Sequence, residues 1–210
     1  MPEIIFAGPA GRIEGRYHPA RQKNAPIAII LHPHPQFGGT MNHPIIYQLY
    51  YAFVHRGFSA LRFNFRGVGR SAGAWDEGRG EMADYAAAID FMAEQYPTHE
   101  LWAAGFSFGS YIAMTAGADH ERVCALIGIA PPVDRYEFAT VKLSTKPKFI
   151  IHGERDELIS LKAVREFYAQ LQEPKEFVEI DRANHLFDGQ ASEVGDALEE
   201  LLSDYSCKTL

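Results

Sequence analysis

The sequence holds only two cysteines, Cys124 and Cys207, among 210 residues. They form no spacing pattern for a disulfide framework or a thiolate metal site, so free thiols in a reducing compartment are expected. No apolar run approaches the length that spans a bilayer, and Met1-Pro2-Glu3-Ile4-Ile5-Phe6 has neither the basic start nor the long apolar core of a signal peptide. The expected location is the cytoplasm. Positive charge is also in deficit: 20 Lys and Arg stand against 27 Asp and Glu, for a net charge of -7. Without a long basic stretch, nucleic acid and anionic membrane are poor candidates for the main partner. There is no Pro/Gly/Ser-rich linker and no internal repeat, so residues 1–210 read as one domain. At 47% hydrophobic and 22% charged, the chain has the balance of a soluble globular protein that can bury a sizeable core.

What the chain does contain is alternation. Two short β-like runs, Glu3 to Phe6 and Arg12 to Tyr17, flank Gly8-Pro9-Ala10-Gly11 and predict a hairpin at a sheet edge. Ile27 to Leu31 is short and continuously apolar, the mark of a strand covered on both faces. Further strands are predicted at Ser59 to Phe65, Leu101 to Ala104, Val123 to Ala130, Phe149 to His152 and Phe177 to Ile180. Between them, apolar residues recur three and four apart: Ile45 to Val54, Met82 to Met92, Val164 to Leu171 and Val194 to Leu202. A further helix is expected after Ser107. Such alternation predicts an α/β class fold: a mainly parallel central sheet with an N-terminal antiparallel hairpin and helices on both faces. Ligands then sit beyond the carboxyl ends of the strands.

One turn is unlike the others. Gly105-Phe106-Ser107-Phe108-Gly109 leaves the apolar run Leu101-Trp102-Ala103-Ala104 and enters Ser110-Tyr111-Ile112-Ala113-Met114. A serine between near glycines on a strand-to-helix turn has the form of a nucleophile elbow. The bend strains the serine backbone and leaves no room for side chains at the flanking glycines. It exposes the hydroxyl and sets the Phe108 N–H beside any carbonyl that the hydroxyl attacks. The bare pentapeptide also arises by chance in glycine-rich loops, so the rest of the chain has to decide.

A serine hydroxyl is a poor nucleophile unless a histidine takes its proton and a carboxylate orients that histidine. Gly153-Glu154-Arg155-Asp156-Glu157 follows one predicted strand, and Arg182-Ala183-Asn184-His185-Leu186-Phe187 follows the last. Serine, acid and histidine then stand in the order used by folds that carry such an elbow. Among three competing carboxylates, Asp156 is preferred for its place in the G-x-x-D turn, with Glu154 and Glu157 read as solvated loop charges. An aspartate in a glycine turn and a lone loop histidine are common structural features taken singly, and the ordered set of three carries the reading.

On these residues the chain resembles the α/β-hydrolase superfamily, and most of all small capless bacterial serine hydrolases similar to dienelactone hydrolases. The resemblance runs from the hairpin to the last helix and includes Asn64-Phe65-Arg66-Gly67-Val68-Gly69-Arg70-Ser71 and His32-Pro33-His34-Pro35 with Gly38-Gly39-Thr40-Met41. It implies the α/β-hydrolase fold and a serine hydrolase acting on a small carboxylic ester or thioester through an acyl-enzyme, with Ser107, Asp156 and His185 as catalytic residues. Acyl transfer or perhydrolysis by the same triad, or a non-catalytic binding protein on the same fold, are the alternatives. Dienelactone hydrolase proper has a cysteine nucleophile where this chain has Ser107, which speaks against dienelactone as substrate.

The resemblance also implies a second oxyanion donor on the loop from His32 to Gly39, beside the N–H of Phe108. Pro33 and Pro35 have no N–H to give. Gln36, two residues before Gly38, is the expected donor and His34 the runner-up. The stretch between Ala130 and Phe149 is too short for the helical lid of many relatives, so no lid domain is expected and the site should be open. Loop residues His34, Phe37, Met41, Phe106 and Phe187, with Trp75, Phe108 and Tyr136 nearby, are candidates for the substrate pocket, although aromatics there also serve as core. His32, His34 and His43 are close in sequence, but no cysteine or carboxylate completes a ligand set, and loop bracing is the expected role. No metal and no cofactor is expected; the partner is a small-molecule substrate, and a homodimer is compatible with the sequence.

Overall fold

The computed structural model describes residues 2–204, and Cys207 lies outside them. Eight strands form one sheet in the order β1-β2-β4-β3-β5-β6-β7-β8. They are β1 (Glu3–Gly8), β2 (Gly11–His18), β3 (Ile27–Leu31), β4 (Ser59–Phe63), β5 (Leu101–Phe106), β6 (Val123–Ile129), β7 (Lys148–Gly153) and β8 (Lys175–Ile180). The β1–β2 hairpin joins β4 antiparallel, and every pairing from β4 across to β8 is parallel. The expected α/β-hydrolase architecture is therefore present.

Alternate residues of the central strands feed two separate cores. Ile27, Ile29 and Leu31 face one core with Tyr85 and Ile89 of α2 (Arg79–Gln95), Ile112 of α3 (Phe108–Asp119) and Val164 of α5 (Leu161–Gln170). Ala28 and Ile30 face the other with Leu49 and Phe53 of α1 (Pro44–His55) and Leu198 of α6 (Ala191–Asp204). This double burial is why β3 reads as five consecutive apolar residues, all of them fully buried. Among the described residues no helix is long and apolar enough to cross a membrane.

One strand end departs from the pattern read in the sequence, while the absence of a lid follows it. The strand expected to reach Phe65 ends at Phe63. The β3–β4 ladder stops there because the Phe65 N–H donates to the His32 side chain (Nε2, 3.1 Å), while the Asn64 N–H still reaches Glu14 O of β2 (3.0 Å). Between β6 and β7 stands only the five-residue α4 (Ala139–Leu143), so the carboxyl ends of the strands are left without a lid.

Candidate active site

Ser107 sits between β5 and α3 with φ 51° and ψ −121°, a positive φ that side chains rarely enter. The turn is held by the Ser107 N–H donating to Ile129 O (2.8 Å) and by Ser110 Oγ donating to Ser107 O (2.6 Å). Glycine is required on both sides for steric reasons. A Cβ at Gly105 would overlap the Gly109 carbonyl, and one at Gly109 would overlap the carbonyls of Leu31 and His32. The elbow thus packs directly against the end of β3, which brings the His32–Gly39 loop to the serine.

Asp156 and His185 lie 29 residues apart in sequence and meet in space, because β7 and β8 are parallel neighbours whose following loops emerge on the same side. Asp156 Oδ1 accepts the N–H groups of Leu158 and Ile159, both at 2.8 Å. Its Oδ2 is 2.7 Å from His185 Nδ1, and His185 Nε2 is 3.0 Å from Ser107 Oγ. With Nδ1–H donating to the carboxylate, Nε2 is left as the acceptor for the serine hydroxyl. Burial pushes the Asp156 carboxyl up, but its bond to His185, the Ile159 N–H and the nearby His152 outweigh that and hold it below the usual carboxylate range.

Glu154 and Glu157 are exposed, as expected, yet they are not idle. Glu154 Oε2 accepts the Arg182 N–H (2.9 Å), and Glu157 Oε2 accepts the His185 N–H (3.2 Å). Both carboxylates tie the histidine loop to the aspartate loop. His152 is a further participant that the sequence reading took only as a strand end. It is fully buried, its Nε2–H donates to Ile159 O (3.0 Å), and the same nitrogen stands 3.6 Å from Asp156 Oδ2. His152 therefore closes the turn whose N–H groups hold the aspartate; the spacing His152-Gly153-x-x-Asp156 was the available signal.

In the His32–Gly39 loop the N–H expected to serve as the second oxyanion donor, that of Gln36, is already engaged. The Gln36 N–H donates to His34 Nδ1 (3.2 Å), so it is spent inside a 3₁₀ turn over Pro35–Phe37. The N–H groups of Phe37, Gly38 and Gly39 are likewise taken by the carbonyls of His34, Pro35 and His34. The His34 N–H has no acceptor among the described residues, and neither does that of Phe108 at the first position of α3. The three histidines brace their surroundings. His32 Nδ1–H donates to Pro33 O (2.7 Å) while Nε2 accepts from Phe65, and His43 Nδ1 accepts the Ile45 N–H at the start of α1.

A cavity of about 500 Å³ opens over Ser107 and His185. His34, Phe37 and Phe106 line it, as do Phe108 and Tyr136. Met41 and Phe187, expected in the pocket, do not. Met41 is buried, with its N–H on Asn64 Oδ1 (2.8 Å) and its carbonyl on Arg62, and Phe187 packs beneath Phe106 at 6.2 Å between ring centroids. Trp75 lies against His34 and Phe108 (4.4 and 5.2 Å). Leu158, Ile159 and Leu186 complete the apolar wall and were not anticipated.

A family model described as Hydrolase_4, serine aminopeptidase S33, matches residues 25–144, from just before β3 to just after α4. The chain belongs to this α/β-hydrolase family. Among solved structures, it is similar to a lidless α/β serine hydrolase from Xanthomonas campestris, with 31% identity over 100% of this chain and 96% of that one and a TM-score of 0.90. A protein of unknown function from Agrobacterium tumefaciens, described as a candidate α/β hydrolase, is 43% identical over 96% of this chain and 95% of its own, with a TM-score of 0.91. An uncharacterised protein from Rickettsia prowazekii (strain Madrid E) is 38% identical over 211 residues, covering 96% of this chain and 89% of that protein. As a capless member of this hydrolase family, the chain leaves its elbow open to solvent.

Four histidines around the hydrolase site share one electrostatic signature. Burial lowers the pKa of His32 to about 4 and also lowers those of His34, His43 and His152. A histidine whose folded pKa lies below its unfolded value, about 6.5, gives its full stability above that value and loses it as pH falls toward the folded one. Each of the four acts in the same direction, and His32 alone accounts for about 3 kcal/mol. The thermal midpoint is therefore expected to drop between pH 6.5 and pH 4 in a calorimetric series. A midpoint constant across that window, with loss only below it, would contradict the neutral buried histidines.

Proposed function

We propose that this chain is a serine hydrolase that cleaves a small carboxylic ester or thioester through an acyl-enzyme. The observation that carries this reading is the unbroken hydrogen-bonded line from Asp156 through His185 to Ser107 at the floor of an open, largely apolar cavity. Ser107 Oγ attacks the carbonyl carbon while His185 Nε2 takes its proton, and Asp156 fixes the imidazole tautomer and faces the imidazolium. The N–H groups of Phe108 and His34 receive the oxyanion. His185 then returns the proton to the departing alcohol or thiol, and a water repeats the sequence to release the acid. The residues present supply every step without a cofactor.

The family's aminopeptidase description suits this cavity less well. Release of an N-terminal residue needs a carboxylate to hold the free ammonium. Glu157 is the one acidic residue of the lining; its Oε2 already accepts the His185 N–H, and the Arg135 guanidinium in the same lining repels an ammonium. An uncharged acyl substrate meets no such conflict. A fluorophosphonate probe tests the first step: the wild type should be labelled and Ser107→Ala should not. Labelling of the alanine variant, or none of folded wild type, would remove the proposal.

The oxyanion assignment has its own test. His34 has φ −54°, which suits proline, so His34→Pro deletes the N–H without forcing the backbone, while His34→Ala keeps it. The proline variant is expected to show kcat about 10²–10³-fold below the alanine variant on a short-chain ester. Equal rates would move the donor elsewhere on the loop.

A further inference from the structure

Six large apolar side chains are well exposed among the described residues, and three of them, Phe37, Leu158 and Leu186, line the cavity that holds Ser107. Their exposures are 84%, 46% and 48%. They come from three separate loops, after β3, β7 and β8, whereas Ile5, Tyr51 and Leu143 lie on separate elements. A shared apolar rim around a lidless mouth calls for an apolar occupant, since exposed apolar surface gathered in one place marks a binding surface.

The chemistry at His185 says which part of the substrate this occupant is. Proton return requires the departing atom to come within hydrogen-bond reach of His185 Nε2. Leu186 follows His185 in the chain, and Leu158 belongs to the turn whose N–H groups hold Asp156. Both leucines stand on the loops that carry His185 and Asp156 and line the same cavity as His185, the group that returns the proton. The charged groups there are engaged: Glu157 accepts the His185 N–H, and Arg135 spans the mouth to donate to Leu158 O (3.2 Å). Phe37 faces them from the oxyanion loop, packed on His34 with ring centroids 4.7 Å apart.

We propose that Leu158, Leu186 and Phe37 form a subsite for an apolar leaving group, so that the substrate is an ester or thioester of a hydrophobic alcohol or thiol rather than of a polyol or sugar. The inference rests on the acyl-enzyme reading above. Ethyl, butyl and hexyl acetate vary the leaving group alone, and ethyl butyrate and ethyl hexanoate vary the acyl group alone. For the wild type, kcat/KM should rise by up to about fourfold per methylene in the alcohol series, and Leu158→Ser and Leu186→Ser should flatten that slope. A flat alcohol series with a steep acyl series would overturn the proposal, as would an alcohol slope that neither variant changes.

A binding measurement keeps this separate from the catalytic reading. Calorimetric titration of Ser107→Ala with hexyl acetate should show tighter binding than with ethyl acetate, and adding Leu158→Ser and Leu186→Ser should abolish the difference. Failure of the wild type to cleave any ester, with that binding difference intact, would sink the acyl-enzyme reading and with it the leaving-group assignment, and leave only an apolar binding rim. If the rim instead joins two copies of the chain, sedimentation will show a dimer that Phe37→Ser dissociates, and the leaving-group assignment falls.

Discussion

Ser107→Ala and Ser107→Gly should each lower kcat on a short-chain ester by about 10⁶-fold, the scale of loss when a triad nucleophile is removed. The two variants should nonetheless differ in stability, with the glycine form melting about 2–4 °C above the alanine form for a chain of this size. The reason is the backbone at φ 51° and ψ −121°. A residue held in such a region costs about 1–3 kcal/mol, and alanine keeps the Cβ that causes the cost. Glycine removes it at an entropic penalty of about 0.5–1 kcal/mol, leaving a net gain near 1 kcal/mol. Both variants lose the bond to His185 Nε2 alike, so it cancels in the comparison. Scanning calorimetry beside steady-state kinetics measures both effects; a glycine form that melts lower would show that the strain is not seated at Ser107.

Asp156→Asn is expected to lower kcat by about 10⁴-fold, as the equivalent change does in a serine protease. In the sequence Asp156 is a loop residue in a glycine turn, a setting where loss of one charge ordinarily costs little. The structure shows instead a fully buried side chain whose Oδ1 holds two backbone N–H groups. Asparagine can still keep that turn, because its amide oxygen accepts from Leu158 and Ile159. Its NH₂ then faces His185 Nδ1 as a donor, which drives the ring proton to Nε2, where it confronts Ser107 and removes the base. Exchange of a charge-assisted bond for a neutral one should cost about 1–3 kcal/mol of stability. Glu154→Gln should stay near wild type, and Glu157→Gln should lose little because its amide oxygen can still accept the His185 N–H. Near-full activity of Asp156→Asn beside a dead glutamate variant would displace Asp156 from its role.

The elbow and the strand–helix order were legible because they are written in near neighbours. Gly105 is required by a clash with the Gly109 carbonyl within five residues of chain, whereas Gly109 answers to the end of β3, and the β3 run records burial on both faces through its composition alone. The order of Ser107, Asp156 and His185 along the chain was equally plain, and parallel pairing of β5 through β8 delivers all three to one side of the sheet.

Which N–H of the His32–Gly39 loop stays free was not legible, because it depends on where the His34 ring turns. Only with Nδ1 folded back on the Gln36 N–H does that group leave the site and the His34 N–H remain. Met41 and Phe187 share the aromatic and apolar character of Phe37 and Phe106, yet Asn64, 23 residues from Met41, draws it inward, and Phe106 covers Phe187. Sequence by itself determined the fold class and the elbow, since periodicity and local sterics encode these, and it set Ser107, Asp156 and His185 in their order along the chain. Tertiary structure alone decided which N–H groups stay free, which apolar side chains line the mouth, and that Glu157 and His152 brace the loops of His185 and Asp156, because each turns on a contact between loops that only the closed sheet brings together.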